Sequence, residues 1–201
     1  MNVQSILVAA VVGSTLASTN PLSAQDSTSQ SPAKAGRWEL TIPSGTLVPT
    51  GVQRDAIKRG DLTAVQLMYA VRPTFAITST FGWARSKDVA AVDQPKLDVF
   101  TYDIGAEARA PQWLANETLS FSPFAGIGAG GRTYNYRKLD VDATHNLAAY
   151  ASAGGDVGVR RLHLRLEARD YVAGFKPLVG SGAARTSNDV VVMVGLRLVS
   201  R

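Results

Sequence analysis

Eight stretches of the chain alternate between apolar residues and small or polar residues with a period of two, and this alternation constrains the fold more than any other feature. Successive side chains of a β-strand point to opposite faces, so each stretch predicts a strand with one apolar face. The stretches are RWELTI, TAVQLMYAVR, TFAITSTFGWA, TYDIGAEAR, TLSFSPFAGIGAGGR, NLAAYASAGGDVGVR, RLHLRLEAR and DVVVMVGLRL. The alternation therefore predicts an all-β fold of eight antiparallel strands.

The second face of these strands combines small residues with charges of both signs. A face in water would favour lysine, glutamate and long polar side chains, whereas small residues and carboxylate–guanidinium pairs suit a narrow enclosed interior. Arginine fits there because its planar fork pairs with a carboxylate through two hydrogen bonds. The apolar face then points outward, to lipid. We therefore predict a charge network in the lumen of a barrel, formed by Glu39, Asp103, Glu107, Arg109, Asp156, Arg160, Arg165, Glu167, Arg169 and Arg197.

The connections between the predicted strands alternate in length. Strands 2 and 3 are joined by RPT, strands 6 and 7 by VRR, and strands 4 and 5 by APQWLANE, whereas 44–62, 85–96, 133–145 and 172–188 predict long loops. Short turns at one end and long loops at the other are typical of a transmembrane barrel. The predicted fold is an eight-stranded antiparallel up-and-down transmembrane β-barrel, with both termini on the short-turn, periplasmic side.

Aromatic residues gather near the predicted strand ends, as in the girdles that membrane barrels place at their two lipid–water interfaces. The residues are Trp38, Tyr69, Phe75 and Trp113 on the short-turn side, and Phe81, Trp83, Phe100, Tyr102 and Tyr171 on the long-loop side.

A soluble lipocalin-like barrel would alternate in the same way, with its aromatic residues in an ordinary core. That alternative requires the apolar face to point inward. The residues that discriminate between the two readings are Phe75, Ile77, Leu164 and Val192, which would then be buried in protein.

The N-terminal region predicts export. The apolar run SILVAAVVGSTLAS is shorter than the roughly 20 residues that span a bilayer, and PLSAQD follows it. It predicts a signal peptide over 1–24, with a buried N-terminal helix or strand as the alternative. Residues 25–36, QDSTSQSPAKAG, predict a disordered lead, and 37–198 the barrel.

The formal net charge is +5, and the chain has no cysteine, which excludes disulfides and a thiol nucleophile. We find no dense run of Lys and Arg interleaved with aromatic residues, so nucleic acid is not a predicted partner, and acidic lipid headgroups fit the charge better. In GVQRDAIKRGD, Arg54, Lys58 and Arg59 predict contact with lipopolysaccharide phosphates; the alternative is a solvated charged loop.

Gly126, Gly128 and Gly131 have the G-x-G-x-x-G spacing of a dinucleotide-binding turn. Such a turn opens a helix, whereas the following RTYNYR is β-prone. We expect instead that Gly126, Gly128 and Gly130 share one face of a strand and let the wall approach bulky neighbours such as Arg165, Arg169 or Tyr150. Gly131 breaks this period, and we expect it to bend the strand at the rim.

Four segments, FSPFAGIGAGGR, YASAGGDVGVR, RLHLRLEARDYV and DVVVMVGLRL, resemble the last four strands of small bacterial outer-membrane β-barrels, the OmpA/OmpX-like superfamily. The resemblance covers 37–198 and implies insertion into the outer membrane from the periplasmic side by the barrel-assembly machinery. Proteins of this superfamily commonly end in an aromatic residue, whereas here Leu198 is followed by VSR.

These features predict a monomeric outer-membrane protein with a structural or surface-interaction role, a filled lumen and long extracellular loops. The two histidines, His145 and His163, are isolated from each other, so we expect no metal, cofactor or catalytic site. The alternatives are a narrow channel for ions or small solutes, a lipid-modifying barrel enzyme, and the soluble periplasmic barrel.

Overall fold

The computed structural model describes residues 36–111, 113–114, 119–159, 162–175 and 185–200. The predicted signal peptide over 1–24, nearly all of the predicted lead over 25–36, and Arg160 lie outside these residues. Among the residues described, no helix is long and apolar enough to cross a membrane.

Nearly all of the described chain is β-strand. The strands are β1 (Arg37–Pro49), β2 (Gly60–Arg72), β3 (Phe75–Lys87), β4 (Lys96–Arg109), β5 (Trp113–Leu114), β6 (Leu119–Tyr136), β7 (Thr144–Val159), β8 (Leu162–Phe175) and β9 (Arg185–Val199). One 3-10 helix, Gly51–Asp55, follows β1.

The eight long strands form a closed ring. Each pairs antiparallel with its neighbour in the chain, β4 pairs with β6, and β1 pairs with β9 to complete the circle. The two-residue strand β5 pairs with β6. The predicted all-β, eight-stranded up-and-down barrel is confirmed. Closure pairs the backbone groups of every long strand on both sides, which a structure inside a bilayer requires.

The outer face is apolar, as predicted. On β8, Leu164 and Leu166 are 50% and 57% exposed, whereas the intervening Arg165 is 2% exposed. The discriminating residues Phe75, Ile77, Leu164 and Val192 are between 39% and 50% exposed. The reading as a soluble barrel with these side chains in its core is therefore wrong.

The predicted loop lengths are wrong at the end of the barrel opposite the start of β1 and the end of β9, which we name the far end. The strand bounds leave connections over 50–59, 88–95, 137–143 and 176–184 there. Strand pairing continues where the apolar alternation fades, for example at Thr46, which pairs with Asp61 and Val192. Backbone hydrogen bonds sustain such a ladder without alternating side chains. At the near end, where β1 begins and β9 ends, the connections are 73–74, 110–118 and 160–161, so the contrast in length is weaker than predicted.

The interior changes character along the barrel. Ion pairs fill the near part, whereas the far part holds a cluster of apolar and aromatic side chains that includes Leu47, Leu97 and Tyr134. The segment after β1 packs into this far part, because Gln53 and Ile57 are each 1% exposed and the side-chain amide of Gln53 accepts a hydrogen bond from Tyr134 Oη at 3.2 Å. The sequence predicted one polar interior face throughout, so these inward apolar residues are a difference.

Candidate functional site

The predicted lumen charges meet in a closed ring of salt bridges. Arg109 pairs with Glu39 at 2.8 Å and with Glu107 at 2.7 Å, and Glu107 also pairs with Arg165. Arg165 pairs with Asp156 at 3.2 Å, Asp156 with Arg197 at 2.8 Å, and Arg197 with Glu39 at 3.4 Å. Acidic and basic side chains alternate around the ring. They come from β1 and from β4, β7, β8 and β9, so the ring connects opposite parts of the barrel wall. We name it the ion-pair ring, formed by Glu39, Arg109, Glu107, Arg165, Asp156 and Arg197.

A branch extends from the ion-pair ring toward the far end. Arg165 Nε donates to Glu167 at 3.0 Å, and Arg169 Nε donates to the second oxygen of Glu167 at 2.5 Å. Arg169 Nη1 reaches Asp103 at 3.0 Å, and Tyr171 Oη donates to the same carboxylate at 2.7 Å. Period two explains this layering, because every second residue of β8 enters the lumen.

Three of the buried arginines also stack on aromatic rings. The guanidinium carbon of Arg165 lies 3.6 Å from the ring centre of Phe124, that of Arg169 lies 4.6 Å from Tyr150, and that of Arg132 lies 4.5 Å from Tyr171. A guanidinium ion is weakly hydrated for a cation and is attracted to the ring face. These rings occupy space between the ion pairs, which an eight-stranded barrel is narrow enough for side chains to fill.

The charges of this network balance. A buried charge lowers the stability of the fold unless it is paired. Removing one partner leaves the other charge buried alone and destabilises the protein. Arg37, at the near rim, adds the fifth guanidinium through its 3.1 Å contact with Glu39. The network then holds equal numbers of acidic and basic groups, namely Glu39, Asp103, Glu107, Asp156 and Glu167 with Arg37, Arg109, Arg165, Arg169 and Arg197.

Sequence reasoning missed a second buried ion pair. Arg132 of β6 contacts Asp189 of β9, and both side chains are about 1% exposed. Arg132 is the last residue of the stretch TLSFSPFAGIGAGGR and Asp189 the first of DVVVMVGLRL, but the predicted charge network includes neither. The signal was present, because Arg132 continues the inward parity of Gly126, Gly128 and Gly130 on β6.

The glycines of β6 make room for a tyrosine. A Cβ atom on Gly128 would lie 2.4 Å from Cε1 of Tyr150, and one on Gly105 would lie 2.2 Å from its hydroxyl. The expectation that alternate glycines admit a bulky neighbour agrees with the contact between Gly128 and Tyr150. Neither Arg165 nor Arg169 is among the nearest neighbours of Gly126, Gly128 and Gly130. The expectation that Gly131 bends the strand is wrong, because β6 pairs regularly past Gly131 on both sides, with β4 to Tyr136 and with β7 to Tyr134. Gly131 faces outward, beneath the ring of Tyr102.

Most of the predicted girdle residues point outward. Trp38 and Tyr69 lie side by side at the near end, with ring centres 4.9 Å apart. Toward the far end, Phe100 stacks between Phe81 at 6.3 Å and Trp83 at 6.4 Å. The remaining outward members are Phe75 and Tyr102, while the side chain of Trp113 lies outside the described part of the chain.

Tyr171 is the exception, and its place in the predicted girdle is wrong. It is 3% exposed and lies inside the barrel, where its hydroxyl contacts Arg169 and Asp103. Its position on β8 has the same parity as Arg165, Glu167 and Arg169, and this parity directs it inward.

The three basic residues predicted to meet lipopolysaccharide all lie exposed at the far end. Lys58 and Arg59 join one cleft with four further basic residues that the sequence did not single out, whereas Arg54 stands apart on the 3-10 helix. We name this the basic cleft, lined by Lys58, Arg59, Asp61, Arg85, Ser86, Lys87, Lys96 and Arg137. Arg85, Lys87 and Lys96 were missed because 85–96 was predicted as a loop. The pairing of β3 with β4, which brings these residues together, was not expected there.

The two histidines lie at opposite parts of the barrel. His145 is exposed on β7, with Nδ1 2.8 Å from Thr133 Oγ1, and His163 lies half-buried near the start of β8. Within the described residues there is no group of three or more His, Cys, Asp and Glu side chains that could hold a metal ion.

The fold is that of solved outer-membrane barrels. The crystal structure of Neisserial surface protein A superposes with a TM-score of 0.54 and 13% sequence identity, over 80% of this chain and 96% of that one. The crystal structure of outer membrane protein OprG from Pseudomonas aeruginosa superposes with a TM-score of 0.55 and 12% identity, over 85% and 98% of the two chains. No protein-family model and no curated protein sequence matches the chain. The chain has the eight-stranded transmembrane β-barrel fold of bacterial outer-membrane proteins.

Proposed function

We propose that the protein is a monomeric outer-membrane barrel with a sealed lumen, which serves as a structural anchor and presents an interaction surface at its far rim. The observation that carries this proposal is the ion-pair ring. Its six side chains cross the lumen and are each at most 7% exposed. Each guanidinium of the ring lies between two carboxylates, so paired side chains rather than open space cross the lumen at this height.

The orientation of the barrel follows from its first and last strands. β1 begins and β9 ends at the near end, since the ring has an even number of long strands. Insertion from the periplasm by the barrel-assembly machinery would keep that end on the periplasmic side and bring the far rim to the cell surface. There the basic residues would face lipopolysaccharide, and this is the partner that the charge of the rim supports.

The second candidate, a narrow channel, rests on the polar character of the near part of the lumen. The far part opposes it, because Gln53, Ile57 and Leu97, each at most 1% exposed, close the interior with the side chains around them. An ion would have to displace this cluster after breaking the ring below it.

Planar-bilayer recording tests the proposal. The purified chain, folded in detergent and checked for a mobility difference between unboiled and boiled samples on a denaturing gel, is added to a bilayer under an applied voltage. We expect no stepwise current. Reproducible single-channel steps from the wild type would overturn the sealed lumen and favour the channel. A protein that stays soluble without detergent would overturn the membrane assignment itself.

A further inference from the structure

The basic cleft concentrates positive charge on one side of the far rim. It has a volume of about 440 Å³, and six basic side chains face one carboxylate within it. Asp98 holds Arg137 at 2.6 Å, but among the residues described here none of the other five basic residues forms a salt bridge. Like charges held together without partners favour an anion that bridges them.

An apolar groove lies on the same strands, nearer the middle of the barrel. It has a volume of about 520 Å³ on the outer face, and Ser79 of β3 provides a small residue between larger walls. The large apolar residues that border it are Val65, Leu67, Phe81, Tyr102 and Ile104, from β2, β3 and β4. A groove of this kind on a lipid-facing wall admits a hydrocarbon chain.

The outer face of β3 connects the groove to the cleft. Phe81 borders the groove, Trp83 follows it on the same face, and the guanidinium carbon of Arg85 lies 4.0 Å above the centre of the Trp83 ring. Arg85 in turn lines the basic cleft. From Phe81 to Arg85 the strand advances about 13 Å, at about 3.3 Å per residue. The apolar side chain of Phe81, the indole ring of Trp83 and the guanidinium of Arg85 therefore follow one another along one face of β3.

This order matches the depth profile of a membrane. Phe75 and Trp83 mark the two ends of the outward aromatic face of β3. They are about 26 Å apart along the strand, or about 20 Å along the barrel axis at a tilt near 40°, which is close to the apolar band of roughly 25 Å in outer-membrane barrels. Arg85 and Lys87 lie beyond Trp83, at the depth of lipid headgroups.

From this arrangement, and resting on the proposed function, we infer that the outer wall of β2, β3 and β4 is a binding site for a lipid whose headgroup carries two or more phosphate groups. The phosphates bind in the basic cleft, and one acyl chain lies in the apolar groove. Charge complementarity selects the headgroup, because six basic side chains around one carboxylate carry more positive charge than a single phosphate can balance. Continuity with the groove selects a membrane lipid over a soluble polyanion.

Native mass spectrometry of the detergent-folded chain tests the site. The probes are bisphosphorylated lipid A, its monophosphorylated form and phosphatidylcholine, each titrated separately. We expect the bisphosphorylated lipid to bind at least tenfold more tightly than phosphatidylcholine, with the monophosphorylated lipid between them.

Two double variants with the same change in net charge provide the matched comparison. Arg85→Gln with Lys96→Gln removes two cations from the cleft, and we expect it to weaken binding of the bisphosphorylated lipid about tenfold or more. Arg72→Gln with Lys138→Gln removes two exposed cations outside the cleft, and we expect it to change binding less than twofold. Both should retain the heat-dependent gel mobility of the folded barrel. Equal losses in the two variants would overturn the site, because they would show a general effect of net charge.

Competition with the deacylated, bisphosphorylated headgroup separates a lipid site from a site for soluble anions. We expect the headgroup to compete at least tenfold less well than the intact lipid. Equal competition would show that the groove contributes nothing and would overturn the lipid site. Ion conduction by the wild type would overturn the sealed lumen without touching these results, so the two proposals fail separately.

Discussion

Arg165 of β8 reaches across the lumen to Glu107 of β4, and the same guanidinium also contacts Asp156 and Glu167. One side chain therefore holds three carboxylates that come from three strands. All four groups are at most 3% exposed, so water does not screen them. This contact makes Arg165 the centre of the lumen network, and it leads to the first prediction.

Replacing Arg165 or Glu167 by alanine should destabilise the folded barrel. Each substitution leaves buried charges without a partner, and we expect a loss of about 3–5 kcal/mol in the free energy of unfolding. Urea unfolding in lipid vesicles, followed by tryptophan fluorescence, measures the loss. Arg72→Ala, which removes an exposed arginine at the near end, is the control and should change stability by less than about 0.5 kcal/mol. Unchanged unfolding of both lumen variants would contradict a structural role for the network.

Arg132 and Asp189 should behave as a coupled pair. Arg132→Met and Asp189→Leu should each destabilise the barrel by about 3 kcal/mol or more, because each leaves the other charge buried alone. The double variant should lose clearly less than the sum of the two, with a coupling energy of about 1–3 kcal/mol from a double-mutant cycle of vesicle unfolding. Additive losses would show that the two side chains do not interact in the folded protein.

Gly128→Ala should strain the wall beside Tyr150. The added Cβ atom would lie within 3 Å of both the Tyr150 ring and the carbonyl oxygen of Ile104. We expect a loss of about 1–3 kcal/mol, typical of overpacking. Ala129→Val adds bulk to the next residue of the same strand, on the exposed outer face, and should be nearly neutral. Similar losses for both variants would argue against a tight contact inside the barrel.

A charge on the outer wall should report the bilayer directly. Ile104 is 63% exposed and pairs with Ser79, midway along β3 between Phe75 and Trp83. Ile104→Arg should lower the free energy of unfolding from vesicles by about 2–4 kcal/mol, because the guanidinium would lie near the middle of the hydrocarbon. Val92→Arg, at a residue 99% exposed in a far-end connection, should have little effect. A small effect at Ile104 would mean that water, not lipid, covers this face.

Much of the architecture followed from the order of residues alone, for a physical reason. Period two is a local property of extended chain, so it assigned both faces of β8 correctly, with Leu164 outside and Arg165 inside. In eight such segments the small and charged face suits an enclosed lumen, so the apolar face has to point to lipid. This pattern predicted a closed barrel in a membrane. The inward position of nine lumen charges followed from the same parity, and the tenth, Arg160, lies outside the described residues.

The same reasoning failed where the local pattern weakened. Leu47 and Leu97 are apolar residues that point into the barrel. The prediction assumed that apolar residues face lipid, so it could not place them. The strands were also predicted to end too early, since pairing at Thr46 or Tyr136 depends on neighbours that are distant in the chain. Tyr171 was assigned to the interface from its residue type, although its parity on β8 directed it inward.

Sequence by itself determined which side chains face lipid and which face the lumen, because alternation is set residue by residue along each strand. Only the tertiary structure decided which charges meet. Arg165 and Glu107 are 58 residues apart, and the basic cleft joins residues from β2, β3, β4 and the connections around them. Such contacts depend on the stagger and closure of the whole ring, which fix the height of each residue relative to strands far away in the chain.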